Sequence, residues 1–562
     1  MRSSIGLINR FRSNKRGNVA VIFAIAIIPL IGAVGAAIDY SEATRVKAKL
    51  QSAADAAAVA SISQRSNGWI QASTMTSDGS VSAGVTDANN IFDGNANNIK
   101  PELQVNSLTR TSVVTKTGNT LNATVNFSAV VPATFMTALG FPDMAVSGVS
   151  KASATLPMYL DFYLALDVSG SMGLPSTTAE AARMQAISPD NWVQYRTGCT
   201  LACHFAPQKS ACTDPPVTSP TNPNPNPATN AGYSQQYNTN NYCMGYVYSR
   251  LGQTALAALI NQASTVAVPK QKPGLPKAML SNLTTNVTPG SLNSLVTGNA
   301  NSLPYSLNAV TSCATAGTDA CIQLRLDAVG MAVNQLLALA NTKQVIANQF
   351  RIGLYPFIED ADTNYAPLTT NFTGSAITTA AANLASELDT NTNATLGSGG
   401  THIDVSLNDI NGVIKNGTGS VGNGSSPTNT LPYVFLVTDG AQDPQMKGVP
   451  NGGWSGSNHA TVLSDPSNTF PNICTTMKSR GIIVSVLYVP YQTISPVNAS
   501  FANDEDDAAN ANIANIPQSL QNCASPPDSG GSYFYTGNTP DEINTALQAM
   551  FNHSIQTAHI TN

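Results

Sequence analysis

The chain has 562 residues, too many for one ordinary domain, so two or three folded units are expected. Only 10% of the residues are charged, against ~25% in typical soluble domains, and the formal net charge is -5. No basic surface able to neutralise a run of phosphates can be built from this composition, which excludes nucleic acid as a partner.

The first element is an uncharged run at residues 19–38, "VAVIFAIAIIPLIGAVGAAI". A helix of that length, at about 1.5 Å per residue, spans ~30 Å, the thickness of bilayer hydrocarbon. Arg2, Arg10, Arg12, Lys15 and Arg16 precede it, and Asp39 and Glu42 follow. The positive-inside rule then predicts a short cytoplasmic tail and export of everything after residue 38. A cleaved signal peptide would use small residues such as Gly35 to Ala37, but this run is longer than the apolar part of such signals. A retained anchor is expected, and both readings export the chain. In "YSEATRVKAKLQSAADAAAVAS" the helix is predicted to continue, with Ala43, Val46, Leu50, Ala53 and Ala57 on one stripe. No Gly or Pro interrupts residues 40–66. An alanine-rich face allows close approach, either by the domain that follows or by a partner helix.

Residues 16–60, "RGNVAVIFAIAIIPLIGAVGAAIDYSEATRVKAKLQSAADAAAVA", resemble the N-terminal segment of TadE/TadG-type proteins of Tad (Flp) pilus assembly. The marks are a basic residue and Gly before the apolar run, then a small-residue helix with Asp39, Tyr40 and "LQSAADAAA". The resemblance implies a single-pass protein of the bacterial inner membrane, whose helix meets other Tad pilus components and whose bulk is periplasmic or extracellular. Pilins that polymerise through this helix carry a glutamate five residues after the processing glycine. Counted from Gly17, that place holds Ile22. A permanently anchored, TadG-like protein is therefore expected, not a filament subunit.

Residues 1–68 are thus read as cytoplasmic tail, transmembrane helix and helical extension. Residues 69–157 hold the alternating or β-branched runs "TSVVTK", "LNATVNFSAVV" and "MAVSGVSKASA", punctuated by Gly118-Asn119 and Gly140-Phe141-Pro142. A small β-rich stalk unit is expected there. Residues 158–562 form the third unit, interrupted at 174–320 by an insertion. Cys199, Cys203, Cys212, Cys243, Cys313 and Cys321 fall in or beside it, with the low-complexity "PVTSPTNPNPNPATN". Alternating Asn and Pro cannot form a core and reads as extended, solvated chain. "CTLACH" is one residue too long for a C-x-x-C-H haem attachment, so disulfides are expected, with the pairing left open, and an oxidising compartment with them.

Around the insertion, buried strands alternate with helices. "FRIGLYPF" and "GIIVSVLYVP" read as strands. "CIQLRLDAVGMAVNQLLALA" and "PNICTTMKSR" read as helices, and "TPDEINTALQAMF" as a helix capped by Thr539 and Glu542. The order predicts a doubly wound α/β sheet.

Three loops at predicted strand ends carry oxygen donors. "LALDVSGSMG" ends a strand with Asp167, Ser169 and Ser171, where Gly170 and Gly173 would supply freedom for a tight turn. "GSGGTHID" sets Thr401 after glycines and before a predicted helix, and "LPYVFLVTDG" ends a strand in Thr438, Asp439 and Gly440. In a parallel sheet such loops converge on one crevice. Two carboxylates and three hydroxyls, without Cys or His, suit Mg²⁺ (or Mn²⁺ or Ca²⁺) and not zinc. Asp443 is weighed as a supporting or merely solvated carboxylate, and the acidic run 503–507 is read as a solvated loop.

This arrangement resembles a von Willebrand factor A domain over residues 159–172 and about 321–553. The family's metal-ion-dependent adhesion site, Asp-x-Ser-x-Ser with a distant Thr and a distant Asp, maps onto Asp167, Ser169, Ser171, Thr401 and Asp439. The resemblance implies capture of a protein partner that lends an acidic side chain to the metal, and a role in pilus assembly or adhesion. The alternatives are a structural envelope protein with a non-binding A domain and a Mg²⁺-dependent phosphatase-like hydrolase. The latter needs a carboxylate at the place of Ser169. Gly-x-Ser-x-Gly around Ser171 and a Walker A sequence are both absent, so no enzyme is expected.

Overall fold

The computed structural model describes residues 18–187, 312–389, 394–447, 454–457, 459–491 and 507–560, with a few isolated positions between them. The chain divides into two compact units, Met1–Pro157 and Met158–Asn562.

The first unit begins with α1 (Asn18–Ser61), 44 residues long. Its first half is apolar all round, with Val21, Ile22, Phe23, Ile25, Ile28 and Ile31 exposed. It is long and apolar enough to cross a membrane. The second half buries Ala43, Val46, Leu50, Ala53 and Ala57, the stripe expected from the sequence. What covers that stripe is the same unit's own sheet and helices, so the neighbouring-domain alternative is the one observed. The helix stops at Ser61, the last residue of the stretch predicted to continue it, and Ser66 caps the next helix: its hydroxyl accepts from the Trp69 amide at 3.0 Å.

That helix, α2 (Asn67–Thr74), is followed by strand β1 (Gly79–Ser80), α3 (Ser82–Ala96), β2 (Thr109–Thr117), β3 (Thr120–Pro132) and β4 (Asp143–Thr155). The four strands form an antiparallel sheet in the order β1-β2-β3-β4. Along β3, Leu121, Ala123, Val125, Phe127, Ala129 and Val131 alternate inward, the period of two that marks a half-buried strand. Gly118, with φ +56, turns β2 into β3 where the sequence predicts it. The unit is not simply β-rich, because α2 and α3 were not legible. Glycine and asparagine weaken helix propensity across α3, yet Gly84 is there for contact: a Cβ on Gly68 would fall 2.6 Å from Gly84 Cα.

The second unit opens with β5 (Leu160–Asp167), every residue of which is buried. In chain order come α4 (Thr178–Ile187), α5 (Arg325–Lys343), β6 (Phe350–Phe357), β7 (Ala366–Thr369), α6 (Ser375–Ala382), α7 (Ile403–Val413) and β8 (Leu431–Thr438). The two-residue strands β9 (Met446–Lys447) and β10 (Trp454–Ser455) precede α8 (Ile473–Ser479) and β11 (Ile483–Tyr488). The series ends with α9 (Asp507–Asn512), α10 (Ile516–Cys523), β12 (Phe534–Thr536) and α11 (Pro540–Ile560). Six strands form one sheet in the order β12-β11-β8-β5-β6-β7, parallel throughout except for the edge strand β7. From β5 the chain moves outward to β6 and β7, then returns to β8 on the other side and continues to β11 and β12. The order reverses between β5 and β8, and a crevice opens beyond their carboxyl ends.

The expected insertion at 174–320 does not begin and end as a loop. Buried Glu180 of α4 accepts from the Gly317 amide at 2.6 Å and the Gln323 amide at 2.8 Å, and pairs with Arg183 at 2.6 Å. These bonds stitch residues 174–187 and 312–323 into the unit. Cys313–Cys321 and Cys474–Cys523 are disulfides. Cys199, Cys203, Cys212, Cys243, the Asn-Pro tract and all of the acidic run 503–507 except Asp507 lie outside the described residues.

Candidate metal site

Asp167 is the last residue of β5, and its chain then enters a tight 3-10 turn at Gly170–Gly173. Neither glycine of that turn adopts a positive φ, so the conformational reason expected for them does not hold. Gly173 instead packs closely on a side chain: a Cβ there would fall 2.9 Å from Leu388 Cδ1. The carboxylate of Asp167 is buried and held at both oxygens. The Ser169 amide at 3.0 Å and hydroxyl at 2.6 Å donate to Oδ1, and the Thr438 hydroxyl donates to Oδ2 at 2.6 Å. Ser169 Oγ and half-buried Ser171 Oγ lie 3.4 Å apart.

Thr438 ends β8, the neighbour of β5, so its bond to Asp167 closes the crevice at the point where strand order reverses. Asp439 follows, fully buried, and neither of its carboxylate oxygens has a hydrogen-bond partner of good geometry. The Ser171 hydroxyl and the Ala441 amide lie near enough only to moderate its charge. Burial raises the proton affinity of Asp439, and the neighbouring Asp167 carboxylate raises it further. Asp167 is pushed up by burial too, against the pull of Ser169 and Thr438.

Thr401 reaches this place by two ties. Its amide donates to the Asp443 carbonyl and its carbonyl accepts from the Asp443 amide, each at 3.0 Å, which pairs it with the loop that leaves Asp439. On the other side Asp389 joins the glycine loop to the first loop. Its carboxylate accepts from Ser398 Oγ at 2.7 Å and the Gly399 amide at 2.9 Å, while its own amide donates to the Val168 carbonyl at 3.1 Å. Here the glycines are conformational: Gly397 and Gly399 have φ of +74 and +106. Gly400 has no room for a side chain, since a Cβ would fall 2.3 Å from the Asp443 carbonyl oxygen.

The predicted residues Asp167, Ser169, Ser171 and Asp439 therefore meet directly, and Thr401 sits on the adjoining loop. Several contributors carried no local signal. Asp389 and buried Arg325, whose positive charge acts on Asp439, are defined by packing alone, and Thr438, placed at its strand end from the sequence, shows its bond to Asp167 only in the fold. Asp443 is buried, with its carboxyl pushed up to about 7 by desolvation, and is not the solvated loop residue weighed above. Among the described residues no group of three His, Cys, Asp or Glu side chains gathers to hold a metal ion. A cation here would rest on two carboxylates and on hydroxyls. The donors fit one: an orphaned buried carboxylate beside a second carboxylate and three hydroxyls is a set of hard oxygens short of positive charge, since Arg325 brings a single charge against two.

Residues 17–63 match the family model described as putative Flp pilus-assembly TadE/G-like. No curated protein sequence matches the chain. Among solved structures, the PilB minor pilin from Streptococcus sanguinis is similar over 81% of this chain and 80% of that one, at 9% identity and a TM-score of 0.28. A point mutant of the same pilin is similar over 82% and 81%, at 9% identity and a TM-score of 0.29. The vWF domain of the type V pili tip protein Mfa5 from Porphyromonas gingivalis is similar over 42% of this chain and 88% of that chain, at 14% identity and a TM-score of 0.25. At such scores the description of the fold rests on the strand order itself.

Proposed function

We propose that this chain is a membrane-anchored, exported component of Tad (Flp) pilus assembly or adhesion that binds a protein partner through a divalent cation. The pilus association is supported by the TadE/G-like match at residues 17–63 and by an apolar helix long enough to span a bilayer. We place the N-terminus in the cytoplasm of a bacterial cell and the two folded units outside the inner membrane, on the charge asymmetry around residues 19–38. We read the second unit as a von Willebrand factor A-type domain, on its strand order and on the loops after β5 and β8 that meet the Thr401 loop.

The observation that carries the binding site is Asp439, buried with both carboxylate oxygens lacking partners, against a second buried carboxylate. In this reading Asp167, Ser169, Ser171, Thr401 and Asp439 hold Mg²⁺, or Mn²⁺ or Ca²⁺ in its place. Bound there, the cation would supply an electrophilic position for an acidic side chain of the partner. Thr438 and the Ser169 amide fix the Asp167 carboxylate in one orientation, and Asp389 holds the glycine loop that presents Thr401. The site is one for binding and not for catalysis: Ser169 stands where phosphatase-like chemistry would need a second carboxylate.

Thermal unfolding of the full chain in detergent tests the assignment. Mg²⁺ at about 100 times its Kd should stabilise the folded state by ~2.7 kcal/mol, an increment that EDTA reverses. Asp439→Ala and Asp167→Ala should each abolish the increment and the cation-dependent capture of pilus components. Retention of the full increment by both variants would rule the site out.

A further inference from the structure

We infer that the tip of the β3–β4 hairpin enters the membrane beside α1, so that the first unit grips the bilayer at two points. This rests on the reading above that α1 crosses the membrane, and the tip is continuous with its apolar surface. Phe135 and Leu139 lie directly against α1: a Cβ on Gly35 would fall 2.5 Å from Phe135 Cβ, and one on Gly32 would fall 3.3 Å from Leu139 Cδ1. Glycines at these two places let the hairpin close on the helix. They precede Ile38, the end of the uncharged run, by three and six residues, so the tip reaches ~4.5 to ~9 Å into the apolar span at about 1.5 Å per residue. Yet Phe135, Leu139 and Phe141 are 46%, 50% and 61% exposed, an uncovered apolar cluster on the part of the unit nearest the span.

Much of the polar backbone of the tip is paired within the protein. Buried Asp39 accepts from the amides of Thr134, Phe135 and Met136 at 3.0, 2.9 and 2.7 Å, capping the 3-10 turn at Met136–Leu139. The Ala133 amide donates to the Pro142 carbonyl at 2.7 Å, the Phe141 amide to the Met136 carbonyl at 3.0 Å and the Gly140 amide to the Thr137 carbonyl at 3.1 Å. Thr137 Oγ1 donates to the Ala133 carbonyl at 2.6 Å, and Pro142 has no amide hydrogen to satisfy. Lipid-exposed irregular backbone is not tolerated in the hydrocarbon core, which places the tip in the interfacial layer, with α1 covering one side and these bonds pairing much of its polar backbone. Residues 133–142 carry no charged side chain. The occupant that fits this cluster is the interfacial layer of the bilayer.

The test is site-specific photocrosslinking of the full chain in lipid vesicles, with p-azidophenylalanine at Phe141, at Ile31 of α1, or at Thr117. Thr117 flanks the opposite end of β3, about 40 Å away at ~3.3 Å per residue. Lipid adducts at Ile31 and Phe141 with none at Thr117 are expected. An adduct at Ile31 without one at Phe141 overturns the inference and leaves the anchor standing. Absence of adducts at both overturns the membrane-spanning reading as well.

Discussion

Asp167 and Asp439 are costly to bury together, and the surrounding hydroxyls are what makes the first tolerable. A half-buried carboxylate in the same unit is handled in another way. Asp528 receives the Tyr533 hydroxyl at 2.5 Å and faces His553 Nε2 at 2.8 Å, while His553 Nδ1 meets the Tyr535 hydroxyl at 2.9 Å and its ring stacks on Tyr533. Burial pushes the Asp528 carboxyl up, but the bonds from Tyr533 and His553 pull harder and bring it down to about 2. A depressed carboxyl stabilises the fold above its unfolded value and loses that contribution as pH falls through the folded one. In acid titrations followed by thermal unfolding, the wild-type chain should lose stability on the order of 1 kcal/mol, after solvent screening, between pH 3.8 and about 2 that Asp528→Asn does not lose.

Among the elements, close approach of backbones decided more than propensity did. α2 and α3 are poor helices in isolation, and they form because Gly68 and Gly84 let them meet each other and the end of α1. A Cβ on Gly68 would fall 2.3 Å from the Ser61 carbonyl oxygen, a backbone atom that cannot turn aside. Gly68→Ala is therefore expected to destabilise the first unit by roughly 1–3 kcal/mol, measured by urea unfolding. The same variant should leave the cation response of the second unit intact. At the far end of the chain the predicted cap of α11 is present. Thr539 Oγ1 accepts from the Glu542 amide at 3.3 Å, and the Glu542 carboxylate accepts from the Asn538 amide at 2.7 Å.

At the scale of the whole molecule, the low charge content and the disulfides agree with the export proposed above. Cys474–Cys523 ties α8 to α10 across a separation of 49 residues, whereas Cys313–Cys321 spans 8. Loop-closure entropy for the longer span amounts to about 4 kcal/mol. Paired serine substitution at Cys474 and Cys523 should cost up to that much in chemical unfolding, and substitution at Cys313 and Cys321 distinctly less. Production in a reducing cytoplasm should give the same deficit without any substitution.

The sequence by itself determined the anchor, the burying stripe of α1 and the central strands, because each is written in a local pattern of hydrophobicity. "FRIGLYPF" becomes β6 over the same residues, and the run ending in Asp167 becomes β5. All five proposed ligands were read from the sequence as one set, and Asp167, Ser169, Ser171 and Asp439 lie together because the loops after β5 and β8, adjacent strands of a parallel sheet, converge. Only the tertiary structure decided that Thr438 clamps Asp167, that Asp389 carries the glycine loop, that Arg325 faces Asp439, and that Asp39 caps a turn 95 residues away. Those partners are set by packing between segments remote in the chain, and a hydrogen bond between remote segments leaves no periodicity for a sequence to show.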